Sequence, residues 1–526
     1  MSPLATDLMR GFDEMRETHI SWVFLGAERV LKVKKPVFFG FLDFRTIEAR
    51  KAACEAELKL NRRLAPDVYL RLVPIRCDES GTHRPDGVGE LRDWGVEMVR
   101  LRDEDATDQR LASGRLTREH VVAVATRLAR FHADVRADEH TASFGSAEVI
   151  ERNVRENFDQ TRRSAPMHLS TAEVAELERF QLGFIETHRE LFADRAARGY
   201  VRDGHGDLRL EHVYIADDGV IQVIDCIEFN ERFRFADVCA DLAFLSMDLA
   251  WHNRVDLAEL LLATYARVAN DFELYRLVDF YESYRAFVRA KVESFVEFDV
   301  TQPTPSRERA AAQARKHYLL ALACARPPLQ PPFVCAVGGL IASGKSTLSE
   351  RIALEASVPV VDADRTRKYL AHVEPTQPLA PAAGAAFDGA YSQEATDRVY
   401  AELLARADAV LSSGRPVVID ASFRDRSWRE AVRALALRRG VPFRFVECRP
   451  PLEVCRARLR AREQRPNVSD ARADLLDTFV AKYEAVTDLD PREHIVVDTS
   501  CDLTGNMKRV LAALQAACDR SGAAGG

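Results

Sequence analysis

Gly339-Leu340-Ile341-Ala342-Ser343-Gly344-Lys345-Ser346 satisfies the pattern G-x-x-x-x-G-K-[ST] at every fixed position. Glycines at such spacing let backbone N–H groups wrap a phosphate, and a helix beginning near Lys345 aims its positive end at the same point. Lys345 is then placed to reach the β- and γ-phosphates of a nucleotide, and the Ser346 hydroxyl to ligate Mg²⁺. Gly339, Ser343, Gly344, Lys345, Ser346 and Thr347 are therefore the candidate nucleotide contacts. The flanks agree with this reading. Phe333-Val-Cys-Ala-Val337 reads as a buried strand entering the loop, and a helical pattern follows it.

Two further apolar runs end in carboxylates. Pro416-Val-Val-Ile-Asp420 offers Asp420 for the Mg²⁺ shell. Pro359-Val-Val-Asp-Ala-Asp364 offers Asp364 as the group that orients an acceptor hydroxyl or takes its proton, with Arg365, Arg367 and Lys368 just behind it. Farther on, Arg456, Arg458, Arg460, Arg462 and Arg465 crowd one helical stretch, with Arg458, Arg462 and Arg465 on one face. Behind a phosphate loop, such a run reads as a clamp on the transferring phosphoryl group, with Arg458 and Arg462 as phosphate contacts. A solvated basic face or a nucleic-acid surface is the alternative. No N-K-x-D guanine-reading motif is present, which disfavours a GTP-driven switch.

Upstream, Ala325-Arg-Pro-Pro-Leu-Gln-Pro-Pro332 cannot continue a helix and reads as an extended connector. It divides the chain into a β-rich lobe over 1–100, a larger helical lobe over 101–325, a Pro-rich linker at 326–332 and a phosphate-loop domain over 333–520. At 526 residues, two or three domains are expected. The 47% hydrophobic and 29% charged content is that of a globular protein, and the net charge of −7 gives no global reason to expect nucleic-acid or anionic-membrane binding. No apolar run reaches membrane-spanning length, and the first ten residues lack a signal-peptide core. Ten cysteines without C-x-x-C pairing suit a reduced compartment, so a cytoplasmic location is expected. Ala380 to Ala386 is an Ala-rich tract.

The first 300 residues carry a second constellation. A strand-rich stretch, Val201 to Ile227, contains His205-Gly206-Asp207-Leu-Arg-Leu-Glu-His212, and eighteen residues after Asp207 comes Asp225 in Val223-Ile224-Asp225-Cys226. Before it lie Lys32 in the strand Val30-Leu-Lys-Val33 and Glu57 in the helix near Ile47 to Leu64. Lys34 and Glu55 are alternatives, because Lys34 shares a strand face with Lys32 and Glu55 is close in sequence.

The HGD segment and the later Asp225 resemble the catalytic loop and metal-binding Asp of the protein-kinase-like superfamily, in the version found in aminoglycoside phosphotransferases and choline kinases. The resemblance implies a bilobal fold over about residues 15 to 300. Asp207 is then the catalytic group that orients the acceptor, Asp225 the metal ligand, Lys32 the phosphate contact and Glu57 its holder. Glu97 and Val99 become the hinge residues beside adenine, and Asp241 the brace of the catalytic loop. Two departures stand out. His212 occupies the position of a metal-binding Asn, which brings in Mn²⁺ as an alternative to Mg²⁺. The first hairpin has Gly26 but no G-x-G-x-x-G. A cationic aminoglycoside would need acidic walls, for which Glu228, Glu231, Asp237 and Asp248 are the available carboxylates.

The region 333 to 500 resembles the small P-loop kinases of the gluconate-kinase, polynucleotide-kinase and zeta-toxin type, which implies a doubly wound parallel sheet. The whole arrangement resembles the bacterial bifunctional aminoglycoside phosphotransferase/ATP-binding proteins. It implies a multidomain α/β and α+β chain with ATP and Mg²⁺ as cofactors and a small hydroxyl compound as acceptor, with no membrane partner. Two rival readings remain open: an N-terminal pseudokinase that regulates the C-terminal kinase, and a C-terminal domain acting on a nucleic-acid or other large acceptor.

Overall fold

The computed structural model describes residues 2–38, 42–324, 331–379, 389–462 and 468–523. The Ala-rich tract and most of the proline connector, 325–330, lie outside the described residues. The chain separates into two compact units, one of Met1–Asn253 with Phe280–Ala323, the other of Arg254–Asp279 with Cys324–Gly526.

In the first unit a six-stranded antiparallel sheet runs in the order Glu14–Glu17, Ser21–Leu25, Arg29–Lys34, Glu90–Val99, Tyr69–Cys77, His83–Pro85. Alternation along each strand sends side chains to opposite faces. One face buries Trp22, Phe24, Leu31, Val33, Val73 and Ile75 against a short helix, Pro3–Met9. The other buries Leu25, Val30, Tyr69, Val96 and Met98 beside Cys54 of the helix Ile47–Asn61. Lys32 is two residues from Val30 and Lys34, so the three share that second face, toward the helix that carries Glu57. The rest of the unit is mainly helical. Its centre is Val238–Trp251, an apolar helix with eleven buried residues, capped by the Asp237 side chain on Cys239 N–H (2.9 Å).

The second unit contains a five-stranded parallel sheet in the order Val360–Asp362, Val417–Asp420, Val334–Gly339, Phe443–Cys448, His494–Val497. Its inner strands have no exposed residue, as a sheet covered on both faces requires. Cys335, Val337, Val360, Val418, Val446 and Val497 pack on Leu348 and Ile352 of the helix Lys345–Ala356 and on Val510 and Leu514 of the helix Leu503–Ala523. Each such side chain contributes about 1.5–3 kcal/mol on burial. Strand order reverses at Val334–Gly339, and in sheets of this kind ligands bind beyond the carboxyl ends at such a point.

The linear partition expected from the sequence does not hold at one place. Arg254–Asp279, expected inside the helical lobe, belongs to the second unit. Its contacts explain the assignment: Arg415 Nε donates to both oxygens of Glu259 (2.9 Å each), and Arg406 Nη1 donates to Asn270 Oδ1 (2.5 Å).

Candidate active sites

The phosphate loop closes the strand Val334–Gly339 and opens the helix Lys345–Ala356. Gly339 and Gly344 take φ of 134° and 90°, which glycine adopts without strain, and Ala342 also lies in the left-handed region at 56°. A Cβ on Gly344 would stand 2.9 Å from Thr499 Oγ1 and 3.1 Å from Arg458 Nη1, so the position has neither the torsion nor the room for a side chain. Ser343 is fully buried and its hydroxyl has no hydrogen-bond partner. Lys345 Nζ folds back onto Leu340 O (2.7 Å), while Ser346 and Thr347 are exposed at the helix start.

Three carboxylates gather in front of this loop. Asp362, Asp364 and Asp420 share one pocket with Lys345 and Ser346. Burial pushes the Asp420 carboxyl up to about 7, with Asp362 and Asp364 adding to the rise and Lys345 and a hydrogen bond from Ser346 opposing it. Asp364 is also raised, chiefly by burial and further by Asp362, against a Ser469 hydrogen bond, Arg367 and Lys345. Such crowding favours a cation. Among the described residues no three His, Cys, Asp or Glu side chains converge into a metal cage. Mg²⁺ does not need one, since it is commonly held by one or two carboxylates together with substrate phosphates. Ser346 and Asp420 fit that role.

A pH dependence follows. Below about pH 7 Asp420 is mostly protonated, and cation binding must expel that proton. Affinity for Mg²⁺–ADP at this site is expected to strengthen between pH 6 and pH 7, by at most about tenfold per unit, and to level off toward pH 8. Calorimetric titration at three pH values checks this, with Asp420→Asn as the control that flattens the Asp420 part of the slope. An equal slope in the variant would contradict it.

The arginine run divides. Arg458 braces the loop, donating to Ala342 O (3.3 Å), Thr499 Oγ1 (3.1 Å) and Thr499 O (2.6 Å), and Thr499 in turn donates to Ser343 O. Arg458 thus touches the loop's backbone and lies beside Gly344. Arg456 pairs with Asp477 on the surface. The Arg462 side chain and Arg465 lie outside the described residues. Asp362, which sequence reading passed over for Asp364, caps the helix Ala363–Leu370 by accepting from Arg365 N–H (2.8 Å).

In the first unit, Lys32 Nζ meets Glu57 Oε1 at 2.8 Å and also pairs with Asp225. Lys34 is no mere alternative, since its Nζ takes the other Glu57 oxygen (2.6 Å) and pairs with Glu228. Glu55 instead faces Lys51 near the surface at 3.5 Å. Burial disfavours ionised Glu57, but Lys32 and Lys34 outweigh it and lower its pKa.

Asp241 braces the loop that begins at His205, accepting from His205 N–H (2.6 Å), Gly206 N–H (2.8 Å) and the His132 ring (3.3 Å). Gly206 takes φ of 87°, and a Cβ there would stand 2.8 Å from Phe233 O. Burial lowers His205 to about 4, so the ring stays neutral near pH 7, with Nε2 on Ile224 O (2.9 Å). Asp225, at φ 65°, stands on the following loop. His212 Nδ1 donates to Asp207 O (2.7 Å), which leaves Nε2 to accept from Arg209 Nη2 (3.3 Å), with Asp225 Oδ2 at 3.9 Å. That is the tautomer a metal-ligating histidine needs.

Asp207 is not free. Arg209 spans both of its oxygens (3.1 Å each). Burial works against its ionisation, yet Arg209, His212 and Arg289 hold it well below the usual carboxylate range.

Two expectations require correction. Val99 N–H donates to Val68 O (2.9 Å), and Glu97 sits mid-strand between Leu31 and Arg71, its side chain on Arg71 (2.6 Å). The Val99 N–H expected to face adenine is therefore taken by Val68 O. Nor do the four acidic residues converge on a cationic acceptor: Glu228 serves Lys34, Glu231 meets His140, Asp237 pairs with buried Arg195, and Asp248 accepts from Leu210 N–H.

A parallel sheet with a phosphate loop at its switch point, and elsewhere in the sequence a lysine–glutamate–aspartate constellation, are features found in nucleotide-dependent phosphotransferases of the kinase type. The AAA domain family AAA_33 matches residues 334–486. Uncharacterized protein Rv2004c of Mycobacterium tuberculosis (strain ATCC 25618 / H37Rv) is 33% identical over 473 residues, 90% of each chain, and the present chain belongs to the same family. Among solved structures, a gluconokinase from Sinorhizobium meliloti 1021 aligns at 23% identity over 37% of this chain and 98% of its own, with a TM-score of 0.27. The GDP complex of wild-type aminoglycoside 2′-phosphotransferase-IIIa aligns at 11% identity over 60% of this chain and 97% of its own, with a TM-score of 0.36.

Proposed function

We propose that the chain is an ATP-dependent kinase with two nucleotide sites, each passing the γ-phosphate to a hydroxyl of a small metabolite. The observation that carries this reading is the meeting of Lys345, Ser346, Asp364 and Asp420 in one pocket at the end of the phosphate loop. Lys345 turns from Leu340 O to the phosphates, and Asp364 orients the acceptor hydroxyl and receives its proton. Mg²⁺ held by Ser346 and Asp420 supplies charge neutralisation when bound. The same pocket suggests the acceptor's chemistry. Arg367 and Arg472 line it, Arg367 with a buried Nε that has no hydrogen-bond partner and Arg472 with its Nε 3.6 Å from Asp474 Oδ1, and Tyr391 and Phe479 add aromatic walls. A compact hydroxyl compound bearing a carboxylate or phosphate suits them.

The test is incubation with γ-labelled ATP and a pool of small hydroxy acids and sugar phosphates. Asp364→Asn is expected to lose a labelled product by about 10²–10⁴-fold while keeping nucleotide affinity, the range for removing a general base. Equal product from Asp364→Asn and wild type would sink the assignment.

One observation favours a second reading for the first unit alone. Arg209 occupies both oxygens of Asp207 and His212 stands at a metal-ligand position, which suits a nucleotide-binding regulator without turnover.

A further inference from the structure

The segment Arg254–Asp279 interrupts the first unit in sequence and belongs to the second. Its helix Val255–Ala269 packs on the helix Lys345–Ala356 and on the strand Val360–Asp362. Arg267 stands at that crossing. Its Nη2 donates to Glu350 Oε1 on the phosphate-loop helix (2.8 Å), and its Nε donates to Asp362 Oδ2 at the strand end (3.3 Å). The other Asp362 oxygen caps the helix Ala363–Leu370, which carries Asp364 and Arg367. Arg365 also approaches Asp362, at 3.6 Å, but at longer range than Arg267.

We propose that Arg267 is a positioning residue of the phosphate-loop site, tying the helix that holds the nucleotide to the helix that holds the acceptor. The C-terminal site is thus completed by a segment that the chain supplies from between the two stretches of the first unit. The inference rests on reading the second unit as a P-loop kinase. The Glu350 partner is half exposed, at 53%, and such a tie is weak alone; the Asp362 side chain is only 8% exposed, so losing its guanidinium leaves a buried charge beside Asp364 and Asp420. Relaxation of that charge shifts the cap and the acceptor helix with it. Misplacement by about 1 Å can cost up to 10²-fold in rate. Neither partner of Arg267 belongs to the phosphate loop itself, so nucleotide affinity is spared.

The experiment uses the full chain in an Asp207→Asn background that silences the first unit, and measures steady-state ATP hydrolysis, with water in place of the acceptor. Arg267→Gln is expected to lower kcat by roughly tenfold or more while KM for ATP stays within about twofold. Arg267→Lys, which keeps the charge, recovers most of the rate. Glu259→Gln loosens the same segment at Arg415, on the residue pair before the strand whose far end carries Asp420, and is expected to lower Tm without changing kcat. Wild-type kcat in Arg267→Gln overturns the proposal, as does a parallel loss of kcat and ATP affinity that Lys cannot rescue. If Lys345→Ala also leaves hydrolysis and nucleotide affinity unchanged, the P-loop reading has failed and the proposal falls with it; normal Arg267→Gln turnover beside a dead Lys345→Ala removes the proposal alone.

Discussion

Lys345→Ala is expected to lower turnover at the second unit by about 10²–10³-fold, the loss that follows removal of one preorganised donor from a developing charge. The ammonium is the counter-cation that Asp364 and Asp420 both sense, and it lies at the start of a helix whose N-terminus already favours anions. Without it, a nucleotide's terminal phosphates meet three carboxylates with no lysine at the loop to offset them. Folding should be nearly unaffected, because among the described residues the side chain's one hydrogen bond is to Leu340 O. Hydrolysis of ATP by the full chain carrying Asp207→Asn reads the effect. A variant that turns over within a few-fold of its parent would mean that phosphoryl transfer occurs elsewhere.

Asp207→Asn is expected to remove the first unit's own product by about 10²–10⁴-fold, with nucleotide affinity retained. The carboxylate sits on a loop fixed by Asp241 and His205, so the amide should keep its place while losing the ability to take a proton. In this structure Arg209 spans both oxygens of Asp207, so a kinase reading of this unit requires that guanidinium to leave them during turnover. Product analysis with labelled ATP distinguishes the two readings of this unit. A kinase loses one labelled species in the variant, whereas a regulator makes none in either form. His212→Asn adds a directional check: an amide oxygen is a harder ligand than imidazole, so activity should shift from Mn²⁺ toward Mg²⁺. An unchanged metal preference would place His212 outside the metal shell.

Local pattern made much of this legible. The phosphate loop and its strand are contiguous in sequence, so Gly339 to Ser346 stands where the motif places it. The Lys32–Glu57 pair followed from a strand face and a helix face, although the structure shows Glu57 shared between two lysines. Long-range pairing was not legible. Glu228 reads as an acidic wall until the fold brings it to Lys34, 194 positions away, and Arg267 carries no local mark of its partner Asp362, 95 positions on. The Val99 N–H reads as a hinge donor until the fold brings Val68 O against it. The bracing of Arg458 on Thr499 was not legible either, because Thr499 lies beyond the next strand.

The account stands on the phosphate loop and the Lys32–Asp225 constellation each holding a nucleotide. Calorimetric titration of the full chain with Mg²⁺–ADP counts those sites. Two nucleotides per chain are expected, falling to one in Lys345→Ala and to one in Asp225→Asn. A wild-type stoichiometry below two, or a Lys345→Ala chain that still binds two with unchanged affinity, would contradict it.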